Sequence, residues 1–213
     1  MILHNKKDNF YQLWDDRFDK NYFENGVVEG ISLYENYRWR PEITIPMANR
    51  LVSLYPNSSF LDFGCAKGFL VKALRLLGVH AYGYDVSKYA ISSSGYEIKQ
   101  YLYGPDDCLP MVDICFVKDV LEHISHDELD TILYLIRSIC SECFVIVPFG
   151  ENNKYRIDEY DLDKTHIIKK SEGWWDIQFI NAGFEIKNFC YQMKGFKDNW
   201  SKHFYGNGFY FLY

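Results

Sequence analysis

The chain has 213 residues, 48% hydrophobic and 24% charged, the size and composition of one globular domain with a substantial core. A formal net charge of −6 and a pI near 5.5 argue against a broad nucleic-acid footprint, which needs a basic face to neutralise phosphates. No apolar run approaches the roughly 20 residues of a membrane span, and the opening MILHNKKDNF lacks the apolar core of a signal peptide, so a cytoplasmic protein is expected.

Tyr11, Trp14, Phe18, Tyr22 and Phe23 recur at roughly helical spacing and predict a first helix between Asn9 and Phe23. Gly26 and Gly30 break that pattern. Pro41 is placed to open a second helix at its first turn and Pro56 to close it. Between the two, Tyr34 to Arg40 packs three aromatics and two arginines into seven residues. Residues 1–57 therefore read as a helical segment that either caps one sheet edge or forms a lid over a ligand. In the second case Tyr34 and Tyr37 cover the site and Arg38 or Arg40 holds a carboxylate.

The stretch FLDFGCAKGFLVKALRLLGVHAYGYD follows, and it predicts strand (Phe60 to Phe63), glycine turn (Gly64 to Gly68), amphipathic helix (Phe69 to Leu77) and strand (Tyr82 to Asp85). This is one βαβ unit of a parallel α/β sheet. Gly64 and Gly68 let the backbone bend sharply and let a ligand approach its N–H groups. Asp85 lies about 20 residues beyond the turn, where nucleotide-binding α/β folds grip a ribose diol. A nucleoside-bearing ligand is expected, and the GxxxG spacing leaves its identity open.

Ser87 is placed to cap a short helix through Ser94. Glu97 to Tyr103 alternates as a third strand, GPDDCLP is a turn, and Val112 to Val117 reads as a central strand buried on both faces. KDVLEHI follows at that strand's carboxyl end, Asp127 to Ile139 reads as a helix and Cys143 to Val147 as a fifth strand. Residues 151–170 form a polar insertion, long for a connection and so expected to be disordered or functional. Ser171 to Ala182 reads as a helix with Gly183 at its C-cap. Phe184 to Met193 and Phe209 to Tyr213 read as two last strands that must pair antiparallel or leave the sheet. The six cysteines suit free thiols in a reducing compartment, and the CxxC at Cys140 and Cys143 has no second ligand pair at zinc-site spacing.

Taken together, these motifs resemble the class I S-adenosylmethionine-dependent methyltransferases over residues 58–213. The resemblance implies a Rossmann-like, mostly parallel seven-stranded α/β sheet with an antiparallel C-terminal hairpin and helices on both faces. It also implies S-adenosyl-L-methionine as cofactor and S-adenosyl-L-homocysteine as product. Asp62, Gly64 and Gly68, with Cys65 and Ala66 between the glycines, are similar to the family's acidic-plus-GxGxG motif. Asp85 and Val86 take the place of the ribose-binding acid, Asp106 and Asp107 that of the adenine-contacting acid, and Lys118 and Asp119 border the donor. CLPMVDICFVKDVLEHI, DKTHI and AGFE are similar to segments of a branch that includes ubiquinone-pathway, sugar and natural-product O-methyltransferases.

O-methylation of a small molecule, a sugar or a glycan precursor is therefore expected. The alternatives are an N-methyltransferase of a small amine, or a cofactor-binding subunit without catalysis that uses the N-terminal aromatics as an interface. A nicotinamide-dependent oxidoreductase shares the turn and the ribose acid but lacks GxGxxG here. If the acceptor is a hydroxyl, its proton needs a base. His166, with Asp163 three residues earlier to orient it, is the first candidate, and His123 the second. In ubiquinone-pathway relatives a similar acid and histidine cluster has been associated with a divalent metal. Here no metal is expected of Asp119, Glu122 and His123, because further ligands are lacking and Glu122 and His123 face different sides if helical.

Overall fold

The structure, a computed structural model, describes residues 14–213. Two short helices, α1 (Lys20–Glu24) and α2 (Gly26–Glu29), precede the longer α3 (Pro41–Leu54). Next come β1 (Phe60–Phe63), α4 (Phe69–Leu76), β2 (Ala81–Tyr84), α5 (Lys88–Ser92), α6 (Tyr96–Lys99) and β3 (Leu102–Tyr103). The second half contains β4 (Val112–Lys118), α7 (His126–Ile139), β5 (Cys140–Pro148) and a small hairpin of β6 (Gly150–Glu151) and β7 (Lys154–Tyr155). It closes with α8 (Glu172–Asn181), β8 (Ile186–Cys190) and β9 (Asn207–Leu212).

Seven strands join in the order β3-β2-β1-β4-β5-β9-β8. The first five are parallel, and β9 runs antiparallel to both β5 and β8. The two terminal strands follow α8, and the loop between them, which carries one 3-10 turn at Asp198–Trp200 and no α-helical crossover, returns the chain antiparallel beside β8. Alternation along each central strand sends side chains to opposite faces. Ile114 and Phe116 join Phe60 and Phe144 in one core with Leu51 of α3 and Val71 and Leu74 of α4. Cys115 and Val117 join Leu61, Phe63 and Val145 in the other, with Leu133 and Ile136 of α7 and Trp175 and Phe179 of α8. Helices thus cover both faces. β1 pairs with β2 on one side and β4 on the other, which makes the carboxyl ends of β1 and β4 the switch point where open α/β sheets bind ligands.

Two elements differ from their prediction. The stretch Glu97 to Tyr103 begins as α6, and only Leu102 and Tyr103 pair with β2. Glu97-Ile98-Lys99 alternates like a strand, but one helical turn also turns Ile98 inward while Glu97 reaches Lys72 at 2.6 Å. The predicted Asn9 to Phe23 helix lies partly outside the described residues. Within them, helix starts only at Lys20, capped by Asp19, which accepts the Tyr22 N–H at 2.9 Å. Ahead of it, Arg17 folds back onto Asp15 through both backbone N–H and guanidinium, and Trp14 and Phe18 are left to face the sheet's carboxyl edge.

Candidate functional site

A cavity of about 340 Å³ opens at the switch point. Its floor is the turn after β1, where Gly64 takes φ +83° and a Cβ would sit 2.3 Å from Val120 Cγ2. Only glycine fits there. Gly68, which opens α4, has φ +73° and lies against Leu102. Ala66, with φ +50°, is held in the left-handed region by the Asp85 carboxylate, which accepts its N–H at 2.6 Å. The other oxygen of Asp85 accepts the Ser87 N–H at 2.7 Å. Each carboxylate oxygen keeps a lone pair for a further donor. Burial pushes Asp85 up to about 6 against the opposing pull of those two N–H groups, and burial pushes Asp62, behind it on β1, up to about 7 despite Lys118.

The N-terminal segment forms the roof. Trp14, Phe18, Tyr22, Phe23 and Tyr34 all line the cavity. Three ties hold the segment down. Asp15 N–H donates to Val86 C=O at 3.0 Å, Ser87 Oγ donates to Phe18 C=O at 2.5 Å, and Lys67 in the glycine turn bridges to Glu24 at 2.5 Å.

The far wall is Asp119, Val120 and His123. Asp119, with φ +55°, is clasped by Lys118 and by Lys197, and the two cations hold its carboxyl well below the usual range against burial. His123 Nδ1 lies 2.8 Å from Thr165 Oγ1, whose proton goes to Asp163 Oδ1 at 2.6 Å. The imidazole must therefore be the donor at Nδ1, and Nε2 carries its lone pair. Burial, with His166 alongside, pushes His123 down to about 3, so the ring is neutral at physiological pH.

The predicted site residues fall into two groups. Gly64, Ala66, Asp85, Val86, Asp119, His123 and Tyr34 meet at the cavity. Asp62, Cys65 and Gly68 are packed behind it, and Lys118 reaches it only through Asp119. Asp106 accepts the Trp14 indole N–H at 2.7 Å, while Asp107 accepts Gly104 N–H at 2.8 Å; neither lines the cavity. Tyr37 packs inward against Phe23, whereas Arg38 and Arg40 are exposed and Arg40 pairs with Glu42, so neither lines the cavity; the guanidinium that does is that of Arg17, which bonds Asp15 at 2.7 Å and the His123 C=O at 3.4 Å. His166 sits behind His123, its Nδ1 bonded to Tyr160 C=O at 2.7 Å, and Asp163 serves His123 through Thr165 instead of orienting His166. Glu122 and His123 do not face apart. The turn is 3-10, and one ligand atom from each lies within 4.8 Å of the other and of His166.

Sequence reasoning missed Trp14 as a wall residue, Thr165 and Lys197. Thr165 lay in the quoted DKTH string, but nothing in the sequence places Lys197 beside Asp119.

No family model matches the chain, and no curated protein matches it. Solved structures do. A magnesium protoporphyrin IX methyltransferase from Synechocystis PCC 6803 with bound SAH superposes with a TM-score of 0.60 at 16% identity, covering 96% of each chain. A SAM-dependent methyltransferase from Archaeoglobus fulgidus gives 0.59 at 15% identity, over 81% of this chain and 94% of that one. The fold is the class I methyltransferase fold. The mitomycin 7-O-methyltransferase MmcR shares it with a TM-score of 0.58 at 15% identity, over 80% of this chain and 53% of its own. In this chain's version of the class I methyltransferase fold, the switch-point cavity has Asp85 on one side and His123 on the other.

Proposed function

We propose that the protein is an S-adenosylmethionine-dependent methyltransferase that methylates a hydroxyl of a small molecule or sugar. The observation that carries the reading is the Asp85 carboxylate, set at the end of β2 in the switch-point cavity with two lone pairs left for a ribose diol. The glycine turn offers backbone N–H groups to the rest of the donor. The acceptor enters against Asp119, His123 and Tyr34. Methyl transfer is an in-line displacement in which the sulfonium loses its charge, so fixed geometry in the aromatic-walled pocket supplies the acceleration. As the new C–O bond forms, the hydroxyl becomes strongly acidic, and a neutral imidazole with its lone pair free accepts the proton even when its own basicity is low. His123, lining the cavity, supports this role better than His166.

Calorimetric titration of the purified protein with S-adenosylmethionine tests the donor site. Asp85→Ala should lower affinity about 10- to 100-fold, the worth of charge-assisted bonds to the diol. A folded protein that binds neither the donor nor its demethylated product would sink the reading. Binding without turnover across hydroxylated acceptors would favour a non-catalytic subunit.

A further inference from the structure

Behind the far wall, three metal-ligating side chains converge with lone pairs free. Glu122 and His123 come from the turn after β4, and His166 from the segment between β7 and α8. One ligand atom from each lies within 4.8 Å of the other two. Glu122 is 1% exposed, and its Oε2 has no hydrogen-bond partner among the described residues. A buried carboxylate oxygen left unpaired is costly and calls for a cation or a proton.

Both imidazoles are prepared for the same visitor. His123 donates Nδ1–H to Thr165, which donates to Asp163; Asp163 in turn also receives Thr165 N–H at 2.9 Å and Tyr22 O–H at 3.0 Å. His166 donates Nδ1–H to Tyr160 C=O. An imidazole whose far N–H rests on a carbonyl or carboxylate relay is oriented as metal-bound histidines are. The rings lie 4.5 Å apart between centroids, an arrangement that repels a proton on either Nε2 and that one shared ion would satisfy. The segment bearing His166 is locked in place because Glu122 C=O accepts the N–H groups of Ile167 at 2.7 Å and Ile168 at 2.9 Å.

We propose that Glu122, His123 and His166 bind one divalent transition-metal ion of the Zn²⁺ class. Two imidazoles and one carboxylate suit zinc and its first-row neighbours, whereas magnesium and calcium seek oxygen ligands. The set keeps Glu122 and His123 of the acid and histidine string in the sequence and differs from it in one member. Asp119, the first acid of that string, is engaged by Lys118 and Lys197, and His166 stands in its place. Tetrahedral bonds of about 2.0–2.2 Å set ligand atoms roughly 3.3 Å apart, so binding draws the three groups inward by about 1.5 Å at most. Three protein ligands leave a position for water or an acceptor oxygen. Since His123 also lines the cavity, the ion would replace the free imidazole as the group that acidifies the acceptor hydroxyl. That role rests on the transferase reading; the binding of the ion does not.

The test uses the full chain, stripped with a chelator and titrated with Zn²⁺ alone by calorimetry. One ion per chain is expected. Glu122→Gln or His166→Ala should weaken binding at least 100-fold, Thr165→Val about 10-fold through the relay, and His126→Ala, on the exposed start of α7, not at all. Co²⁺ should give the visible absorption of a low-symmetry site in the wild type and lose it in both ligand variants. Retained S-adenosylhomocysteine affinity or an unchanged far-UV spectrum shows that a variant is folded, and Thr165→Val carries the comparison if the ligand variants do not fold. No uptake of Zn²⁺ by the wild type, or equal affinity in the wild type and the folded variants, overturns the site.

Discussion

Asp85 shows how a single residue is set against its own charge. The group that would grip a diol is buried, and its carboxyl is raised to about 6, with Asp62 raised to about 7 beside it. Both values lie above the unfolded value of 3.8, so the folded chain holds these protons more tightly. The stability they contribute is complete below about pH 4 and is lost as pH rises towards 7. Donor binding runs the other way, because only the ionised carboxylate accepts both ribose hydroxyls. Affinity for S-adenosylhomocysteine should rise by up to about tenfold per unit as pH climbs through 6, and Asp85→Asn should flatten that slope; calorimetry at stepped pH reads both. Asp85 was legible in the sequence because its distance from Gly64 is set by one helix and two short connections. The His123–Thr165–Asp163 relay was not, because spacing alone favoured Asp163 with its near neighbour His166.

At the scale of elements, the N-terminal segment is where sequence and structure part most. Its aromatics pointed to one helix from Asn9 to Phe23 within a cap or lid, and the described part folds as a turn followed by the short α1 and α2, with the rings of Trp14, Phe18, Tyr22 and Phe23 lining the cavity. The Lys67–Glu24 bridge, with side chains 11% and 19% exposed, ties this roof to the glycine turn. Glu24→Gln should raise hydrogen exchange in Lys20–Glu24 about fivefold, the effect of losing roughly 1 kcal/mol of local stability, and should weaken donor binding in step. Arg38→Ala and Arg40→Ala should leave donor and acceptor kinetics unchanged, since both side chains are exposed away from the cavity. A loss of acceptor affinity in either would restore the carboxylate-holding role that the sequence pointed to. The short β3 has a local cause: a sequence with one apolar residue per turn satisfies a helical turn and a strand equally well.

Across the whole molecule, the two faces of the sheet carry separate duties. The α7 and α8 face is a continuous apolar core around Trp175, which is fully buried and whose indole N–H finds no partner among the described residues. Trp175→Ala should cost about 3–5 kcal/mol in urea unfolding, with donor affinity unchanged, because α8 supplies no residue to the cavity. The carboxyl edge gathers the residues of the proposed site: the glycine turn, Asp85, Asp119 and His123, with His166 behind. The sequence alone determined the parallel strands, the glycine turn and the place of Asp85 beyond it, because apolar periodicity, backbone freedom and short connections are properties of neighbouring residues. Tertiary structure decided which side chains meet across that edge: Lys197 with Asp119, Thr165 with His123, His166 with Glu122. Those encounters depend on the order in which strands stack and on where the 151–170 segment returns to the sheet, and no local pattern encodes either.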